Sequence, residues 1–237
     1  MKNYLKTNTI FWNRKYGSPN PEGFIFRLKS KLLDYYIPKN KKLTVLDFGC
    51  GEGANIKHLI KSEKYDGYGV DISEESIKFC KKNINKKKFK LINSKPDKND
   101  NFFNKKFDLI ISIQTLYYLN DADLQIRLKS LNKMLKPGGY VFFTMMSTKS
   151  NYFKYYSNKR INSDGLTYID LSRDKKYKKR QKQKLYHHYI NMCRSEKDLK
   201  RKFKIFKSIG VGFYDWSYGI NNLISGHHFT FFGKKIG

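Results

Sequence analysis

Between residues 43 and 146, short apolar runs alternate with segments in which apolar residues recur at helical spacing. This alternation is typical of a parallel β-sheet whose strands are joined by crossover helices. It predicts an α/β fold with a doubly wound sheet, because crossover helices cover both faces of such a sheet. The five runs predicted to form strands are residues 43–48, 67–71, 89–92, 107–113 and 140–146.

The segments between these strands carry helix signals. Ser73 is a suitable N-cap for a helix with Ile77 and Cys80 on its buried face. Asp121 begins another helix, whose leucines recur every three or four residues until Pro137 and two glycines end it. We expect both helices to pack on the sheet through these apolar stripes.

Two parts of the chain depart from this alternation. Residues 1–37 are rich in aromatic side chains and predict a helical N-terminal arm, or cap, separate from a domain that spans residues 38–237. Within that domain, residues 147–184 contain few aliphatic side chains and a strongly basic run from Arg173 to Lys184. We interpret residues 147–184 as a lid inserted after the fifth strand.

The C-terminal part predicts two further strands of the main sheet. Ser195 caps a helix that is expected to carry Leu199 and Phe206 on one face. Residues 211–216 and 228–232 are β-like and are joined by a short link, which predicts an antiparallel hairpin added to the parallel sheet. The expected sheet therefore has seven strands, most of them parallel.

The chain is strongly basic, with 49 Lys and Arg residues against 20 Asp and Glu residues and a formal net charge of +29. A field of this sign attracts polyanions such as nucleic acids. However, 41 of the 49 cationic residues are Lys, whereas phosphate and base recognition favours the planar guanidinium of Arg. Asn, Ile, Phe and Tyr are also abundant, as an A+T-rich genome would produce, and we favour that origin of the charge over a nucleic-acid partner.

Simple counts argue against several other classes of protein. No run approaches the roughly 20 apolar residues of a membrane helix, and the first residues lack the apolar core of a signal peptide. We therefore expect a cytoplasmic protein without a membrane span. Cys50, Cys80 and Cys193 are too few and too scattered for a disulfide framework or a cysteine-rich metal site, and no metal is expected.

A glycine-rich segment, Asp47-Phe48-Gly49-Cys50-Gly51-Glu52-Gly53, follows the first predicted strand. Open α/β sheets bind ligands at this position, and glycine lets the backbone approach them closely. The spacing also fits a dinucleotide-binding loop, with Asp71 as a ribose-binding acid 22 residues beyond Gly49. Asp47 favours another ligand, because a carboxylate so close to the loop would repel a pyrophosphate but attract an ammonium group. S-adenosylmethionine carries such a group.

Four segments together resemble the class I (seven-stranded, Rossmann-like) S-adenosylmethionine-dependent methyltransferases of the small-molecule type. They are VLDFGCGEG (residues 45–53), YGVDIS (68–73), FDLIISIQTLYYL (107–119) and LKPGGYVFFT (135–144). The resemblance covers residues 40–146 and 185–233 and implies an enzyme that uses S-adenosylmethionine as its cofactor.

The resemblance also implies which residues hold the cofactor. Asp47, Gly49 and Gly51 would line its methionine portion. Asp71 would accept hydrogen bonds from both ribose hydroxyls, and Ile72 would cover one face of the adenine.

Further cofactor contacts are implied after the third and fourth strands. Asn93 or Ser94 stands where the family often has an acidic residue that bonds the adenine amino group. Ile113 and Gln114 would lie beside the methyl group.

A catalytic base is needed only for an acceptor that arrives protonated. The candidates are Tyr117 after the fourth strand, His187 and His188 in an extended segment, and His228 before the last strand. Because neighbouring residues of a strand point to opposite faces, at most one of His187 and His188 should face the site.

The family builds its acceptor pocket from variable parts such as the arm and the lid. Side chains there could wall the pocket with aromatic rings or hold an anion with a guanidinium group. These substrate-binding candidates are Trp12, Tyr16, Tyr152 and Tyr156 for the wall, and Arg160 and Arg173 for the anion.

These features predict O- or N-methylation of a small metabolite, and the basic lid favours an anionic acceptor such as a phosphorylated metabolite or a nucleotide-linked sugar. Enzymes that methylate base or amide nitrogens commonly carry an Asn/Asp-Pro-Pro-aromatic turn after the fourth strand, where this chain has Ile-Gln-Thr-Leu at residues 113–116. An RNA methyltransferase that holds phosphates with the basic insertion is the alternative. A third interpretation is an S-adenosylmethionine-binding protein without transferase activity.

Overall fold

The computed structural model describes residues 3–13, 20–36, 40–175, 185–215 and 226–237, and its centre is a seven-stranded sheet. The strands of this sheet follow the order β3-β2-β1-β4-β5-β9-β8. Their bounds are β1 (Leu43–Phe48), β2 (Tyr65–Asp71), β3 (Phe89–Leu91), β4 (Phe107–Ser112), β5 (Leu135–Met146), β8 (Phe206–Tyr214) and β9 (His228–Lys235). Two further strands, β6 (Leu166–Asp170) and β7 (His187–Asn191), form a separate antiparallel pair.

Helices cover both faces of the sheet and the edge at which its parallel strands end. Their bounds are α1 (Tyr4–Trp12), α2 (Gly23–Arg27), α3 (Asp34–Tyr36), α4 (Ala54–Leu59), α5 (Glu74–Asn83), α6 (Asp121–Met134), α7 (Asn151–Tyr156) and α8 (Glu196–Lys202). A π-helical turn (Leu28–Leu33) joins α2 to α3, and a short 3₁₀ turn (Leu116–Tyr118) follows β4. No helix among the described residues is long and apolar enough to cross a membrane.

The parallel part of the sheet confirms the predicted fold class. β1 pairs in parallel with β2 on one side and with β4 on the other, and β5 pairs in parallel with β4. Asp47 lies opposite Gly69 of β2 and Ile111 of β4. The carboxyl ends of three strands therefore meet at one edge of the sheet, where such folds bind ligands.

The C-terminal hairpin is also confirmed, with a correction to its first strand. β9 lies antiparallel between β5 and β8. The sequence places Phe206 on the helix that Ser195 caps, but α8 ends at Lys202 and Phe206 begins β8, where it pairs with Lys235. Phe206 is buried in β8. Its burial and its helical spacing from Leu199 fit a helix as well as a strand, so this pattern did not distinguish the two elements.

The predicted lid contains regular structure. Residues 147–175 include α7 and β6, and β6 pairs with β7 through Ile169 and His188. Residues 176–184, which carry most of the basic run, lie outside the described residues. The action of residues 147–184 as a lid stays a prediction.

The helices pack on the sheet, as predicted, through two apolar layers that lie on its opposite faces. Leu124 and Leu128 of α6 belong to one layer, together with Phe143 of β5. Ile56 of α4 and Ile77 of α5 belong to the other. Ser73 caps α5 as predicted, because its side-chain oxygen accepts a hydrogen bond from the amide of Ser76.

Close packing between these layers and the sheet predicts the effect of adding one methyl group at Gly69 of β2. A Cβ there would lie 2.6 Å from the ring of Phe89 and 2.8 Å from the sulfur of Cys50. Gly69→Ala should therefore lower the free energy of unfolding by about 1–3 kcal/mol. Gly210→Ala in β8 is the matched control, because no atom lies within 4 Å of the added Cβ. Chemical denaturation of the two variants checks the difference, and equal stabilities would contradict it.

Candidate functional site

A cavity of about 200 Å³ lies at the carboxyl ends of β1, β2 and β4 and is covered by α1. Its floor is the glycine loop (residues 49–53), of which residues 49–52 line the cavity. The ends of β2, β3 and β4 supply its sides, and residues of α1 and of the segment before α2 line it from above. The described residues bring most of the predicted cofactor contacts to this one cavity.

The glycine loop reverses the chain where no side chain would fit. Gly49 has a φ of 80°, and a Cβ at this residue would lie 2.1 Å from Oγ1 of Thr115. The amides of Gly49 and Cys50 both donate to the carbonyl oxygen of Val70, at 2.8 and 3.0 Å. The loop is therefore fixed to the end of β2 and leaves its backbone open to the cavity.

Asp71 ends β2, lines the cavity and holds the loop in place. Its two carboxylate oxygens accept hydrogen bonds from the amide of Gly51 at 2.8 Å and from the amide of Ser73 at 2.9 Å. Burial raises the pKa of the Asp71 carboxyl, although the backbone donors oppose that rise. Each oxygen retains acceptor capacity, so the carboxylate can still bind the two hydroxyls of a ribose.

Asp47 lies beneath the loop and does not line the cavity directly. Its side chain is buried, and neither carboxylate oxygen has a hydrogen-bond partner among the described residues. Burial raises the pKa of this carboxyl to about 8, with a smaller contribution from the charge of Asp71. An unpartnered buried carboxylate is costly, and a nearby ammonium group would stabilise its charged form.

The other predicted cofactor residues also line the cavity. Gln114 has a φ of 54°, its amide donates to Oγ1 of Thr144 at 2.8 Å, and its Nε2 donates to the hydroxyl of Tyr214 at 3.3 Å. These contacts fix the orientation of Gln114 at the end of β4. The lining residues that the sequence predicts are Gly49, Gly51, Asp71, Ile72, Asn93, Ser94, Ile113 and Gln114. Their individual roles toward a cofactor stay predictions.

The catalytic candidates lie elsewhere, since none of Tyr117, His187, His188 and His228 is among the residues that line the cavity. Tyr117 is buried and lies 5.6 Å from the ring of His228. Nδ1 of His228 lies 2.5 Å from the carbonyl oxygen of Gly226, and burial lowers the pKa of this imidazole to about 4. His228 is therefore neutral near pH 7.

The two histidines of β7 lie on opposite faces of that strand. His188 is buried against Phe11 of α1, with ring centroids 4.0 Å apart. His187 lies 5.5 Å from the ring of Tyr168 in the partner strand β6. His188 therefore lies behind the α1 wall of the cavity, as the predicted alternation allows for one of the pair.

Of the substrate-binding candidates, one lines the cavity and the others that the structure describes lie away from it. Trp12 lines the cavity, and Tyr152 lies 6.3 Å from His188, one layer further out. The hydroxyl of Tyr156 donates to Asp174 at 3.3 Å. Arg160 and Arg173 are exposed and do not line the cavity, and Tyr16 lies outside the described residues.

Sequence reasoning missed several polar residues of this cavity. Asn8 of α1, Glu22 before α2 and Asn55 of α4 all line it, and the amide of Glu22 donates to Oδ1 of Asn55 at 2.9 Å. Burial raises the pKa of the Glu22 carboxyl. The sequence signal for Asn8 and Glu22 was polarity within an aromatic-rich arm, which does not distinguish a site from a surface.

A parallel sheet with a glycine loop after β1 and a cavity-lining carboxylate at the end of β2 is the arrangement of the class I S-adenosylmethionine-dependent methyltransferases, and dinucleotide-binding folds share it. The comparison with known families distinguishes the two, because residues 22–204 match the model of the methyltransferase-domain family. The chain belongs to this family, and S-adenosylmethionine is its cofactor.

Curated relatives and solved structures agree with this assignment. A protein of Methanocaldococcus jannaschii that is named as a methyltransferase is 42% identical over 88 residues, which are 35% of this chain and 34% of the relative. The ubiquinone biosynthesis O-methyltransferase of Pelagibacter ubique is 29% identical over 113 residues, which are 47% of this chain and 46% of the relative. The chain thus spans less than half the length of these curated relatives.

A similar solved structure is the N-methyltransferase NodS of Bradyrhizobium japonicum in complex with S-adenosyl-L-homocysteine. It superposes with a TM-score of 0.55 at 14% identity, and the match covers 99% of this chain and 98% of NodS. At that identity the likeness concerns the fold.

We predict that Asp71→Ala weakens the binding of S-adenosylhomocysteine by on the order of 2–4 kcal/mol, because two charge-assisted hydrogen bonds are lost. Asp66→Ala is the control, since Asp66 lies on the same strand, is ion-paired with Lys88 and does not line the cavity. Calorimetric titration measures both affinities. Equal affinities of the two variants, or tight binding of NAD by the unmodified protein, would contradict the assigned site.

Asp47 predicts a pH dependence of stability in the protein without cofactor. The folded protein retains a proton on Asp47 up to about pH 8, whereas the unfolded chain releases it near the ordinary value of 3.8. The folded state thus binds more protons between these values, so the contribution of Asp47 to stability decreases as the pH rises from 3.8 to about 8. Denaturation at several pH values should show this decrease in the wild type and a weaker one in Asp47→Asn. Parallel profiles of the two proteins would refute the prediction.

Proposed function

We propose that the protein methylates an oxygen or nitrogen atom of a small molecule that binds beside the cofactor and beneath α1. The observation that carries this proposal is that residues of α1 line the cavity together with the glycine loop. A cavity bounded in this way suits an acceptor of metabolite size beside the cofactor.

Buried hydrogen bonds hold α1 over the cavity. Nδ2 of Asn8 donates to the carbonyl oxygens of Tyr118 at 2.9 Å and Tyr189 at 3.0 Å, and Oδ1 of Asn8 accepts from the amide of Tyr189 at 2.9 Å. The hydroxyl of Tyr4 accepts from the amide of Asn120 at 3.1 Å and donates to Asp123. These bonds join α1 both to the segment after β4 and to β7.

Aromatic rings form part of the cavity wall. Trp12 of α1 and Tyr118 after β4 both line the cavity, and their ring centroids are 4.8 Å apart. Such a wall suits the apolar part of a small acceptor and excludes water from it. The partial likeness to an enzyme named as an O-methyltransferase of ubiquinone biosynthesis also supports a small acceptor.

When bound, S-adenosylmethionine supplies an electrophilic methyl group. The residues of this chain position the reactants and keep water away from them, and for an in-line displacement this can account for much of the rate. Asp71 and the glycine loop hold the cofactor end of the cavity. Gln114, fixed by Thr144 and Tyr214, marks the end of β4, where the acceptor is proposed to lie.

The cavity lining gives an anionic acceptor little support. A phosphorylated metabolite or a nucleotide-linked sugar would require a free cation, and Arg160 and Arg173 lie outside the lining. Arg127 is the one cationic residue among the described residues of the lining, and it is already ion-paired with Asp100.

Asn8→Ala tests the role of α1. The change leaves two carbonyl groups and one amide without their partner, which should loosen α1 at a cost of about 1–3 kcal/mol. We expect methyl transfer to small acceptors to fall at least tenfold while the affinity for S-adenosylhomocysteine stays within a fewfold. Lys6→Ala, an exposed residue of the same helix, is the control and should have no effect.

The same assay separates the small-molecule enzyme from the RNA methyltransferase. Release of S-adenosylhomocysteine is measured with pools of small acceptors and with structured RNA at 150 mM salt. Transfer to RNA alone, unaffected by Asn8→Ala, would overturn the proposal, because RNA bound outside the cavity does not depend on α1.

A further inference from the structure

We infer that the acceptor is an amine, which binds in its ammonium form to Glu22 and to the aromatic wall of Trp12 and Tyr118. The ammonium group gives one proton to the Glu22 carboxylate, and the nitrogen lone pair then attacks the methyl group as the bond from that methyl group to the cofactor sulfur breaks. This inference rests on the proposed function, because it assigns a chemical class to the small acceptor. It concerns the charge of the acceptor that the cavity binds.

The cavity has the opposite charge to the rest of the chain. The chain carries a formal net charge of +29, yet no Lys is among the described residues that line the cavity. The charged residues of the lining are Glu22, Glu52, Asp71 and Arg127, and Arg127 is neutralised by Asp100. A cavity of this kind attracts cations and repels anions, and the effect is strong where water is excluded.

Three of the four described carboxylates in or beneath the cavity belong to the glycine loop or to the strands that it follows and precedes. Asp71 accepts hydrogen bonds from the loop and from the start of α5, so it belongs to the cofactor end. Asp47 is buried beneath the loop, and Glu52 is part of the loop itself, with Oε1 buried and without a partner among the described residues. Asp71 and Glu52 line the cofactor end of the cavity, and Asp47 lies behind them, beneath the loop.

Glu22 stands apart from that group. It comes from the segment before α2, and its amide is anchored on Asn55. It lines the same cavity as Trp12 and Tyr118, and it forms no ion pair with any described residue. Glu22 is thus a lining carboxylate that belongs neither to the glycine loop nor to the end of β2.

A carboxylate and aromatic faces in one cavity recognise an ammonium group in two ways. The carboxylate supplies a charge-assisted hydrogen bond. The faces of Trp12 and Tyr118 attract a cation through their quadrupoles, and a Trp face does so most strongly. An anionic acceptor would meet Glu22 without a compensating cation, so the same residues also exclude it.

The test uses three probes of similar size that differ in charge: 2-phenylethylamine, 2-phenylethanol and 3-phenylpropanoate. Each is titrated into the complex of the protein with S-adenosylhomocysteine, and binding is measured by calorimetry. We expect the amine to bind at least ten times more tightly than the alcohol or the carboxylate.

Variants of the cavity assign that preference to its residues. Glu22→Gln should weaken amine binding at least tenfold, leave alcohol binding within twofold and leave the affinity for S-adenosylhomocysteine within threefold. Trp12→Leu should weaken the amine more than the alcohol. Glu75→Gln, an exposed carboxylate of α5, is the matched control and should change none of these values.

Several outcomes would overturn the inference. One is an amine that binds no more tightly than the alcohol or the carboxylate, or does not bind. Another is a Glu22→Gln variant that loses S-adenosylhomocysteine but keeps the preference among probes, which would place Glu22 in the cofactor site. Preference for the alcohol or the carboxylate leaves a small-molecule methyltransferase intact, whereas transfer to RNA alone removes the proposed function itself.

Discussion

The site depends on the carboxylate of Asp71. By accepting hydrogen bonds from Gly51 and Ser73, it ties the glycine loop and the start of α5 to the end of β2. The start of the loop is held to the same strand by hydrogen bonds from the amides of Gly49 and Cys50 to the carbonyl oxygen of Val70. These anchors limit the wide conformational freedom of glycines at positive φ. The shape of the cavity floor therefore follows from the end of one strand.

The site buries two carboxyl groups in a chain that otherwise carries excess positive charge. Asp71 and Asp47 are both buried, and burial raises the pKa of each. Ionisation of such carboxyl groups lowers the stability of the empty protein, so Asp47 keeps its proton up to about pH 8, and a bound cation that interacts with them offsets the cost of ionisation. The protein should thus gain more stability from its cofactor than the contact area alone implies.

Local patterns made much of the fold predictable. The strands β1 to β5 are apolar runs with clear ends, and Ser73 and the glycine loop carry signals that depend only on near neighbours in sequence. The cofactor side of the cavity follows from these elements, because parallel strands bring their carboxyl ends to one edge.

The acceptor side of the cavity could not be predicted from local sequence patterns. Asn8 and Glu22 reach the cavity only because the arm packs on β7 and α4, and no periodic pattern encodes that docking. His188 and His228 are buried by tertiary packing rather than directed at the cavity. Arg160 and Arg173 were chosen for their charge, and charge alone does not place a side chain.

The contact between Asn8 and Tyr189 spans 181 residues of sequence. During synthesis, α1 emerges early and meets the segment after β4 before β7, its second docking partner, has been made. The docking of the arm is therefore incomplete while the rest of the sheet assembles. The cavity is completed late, so the protein gains its cofactor-binding floor before it gains the roof that encloses an acceptor.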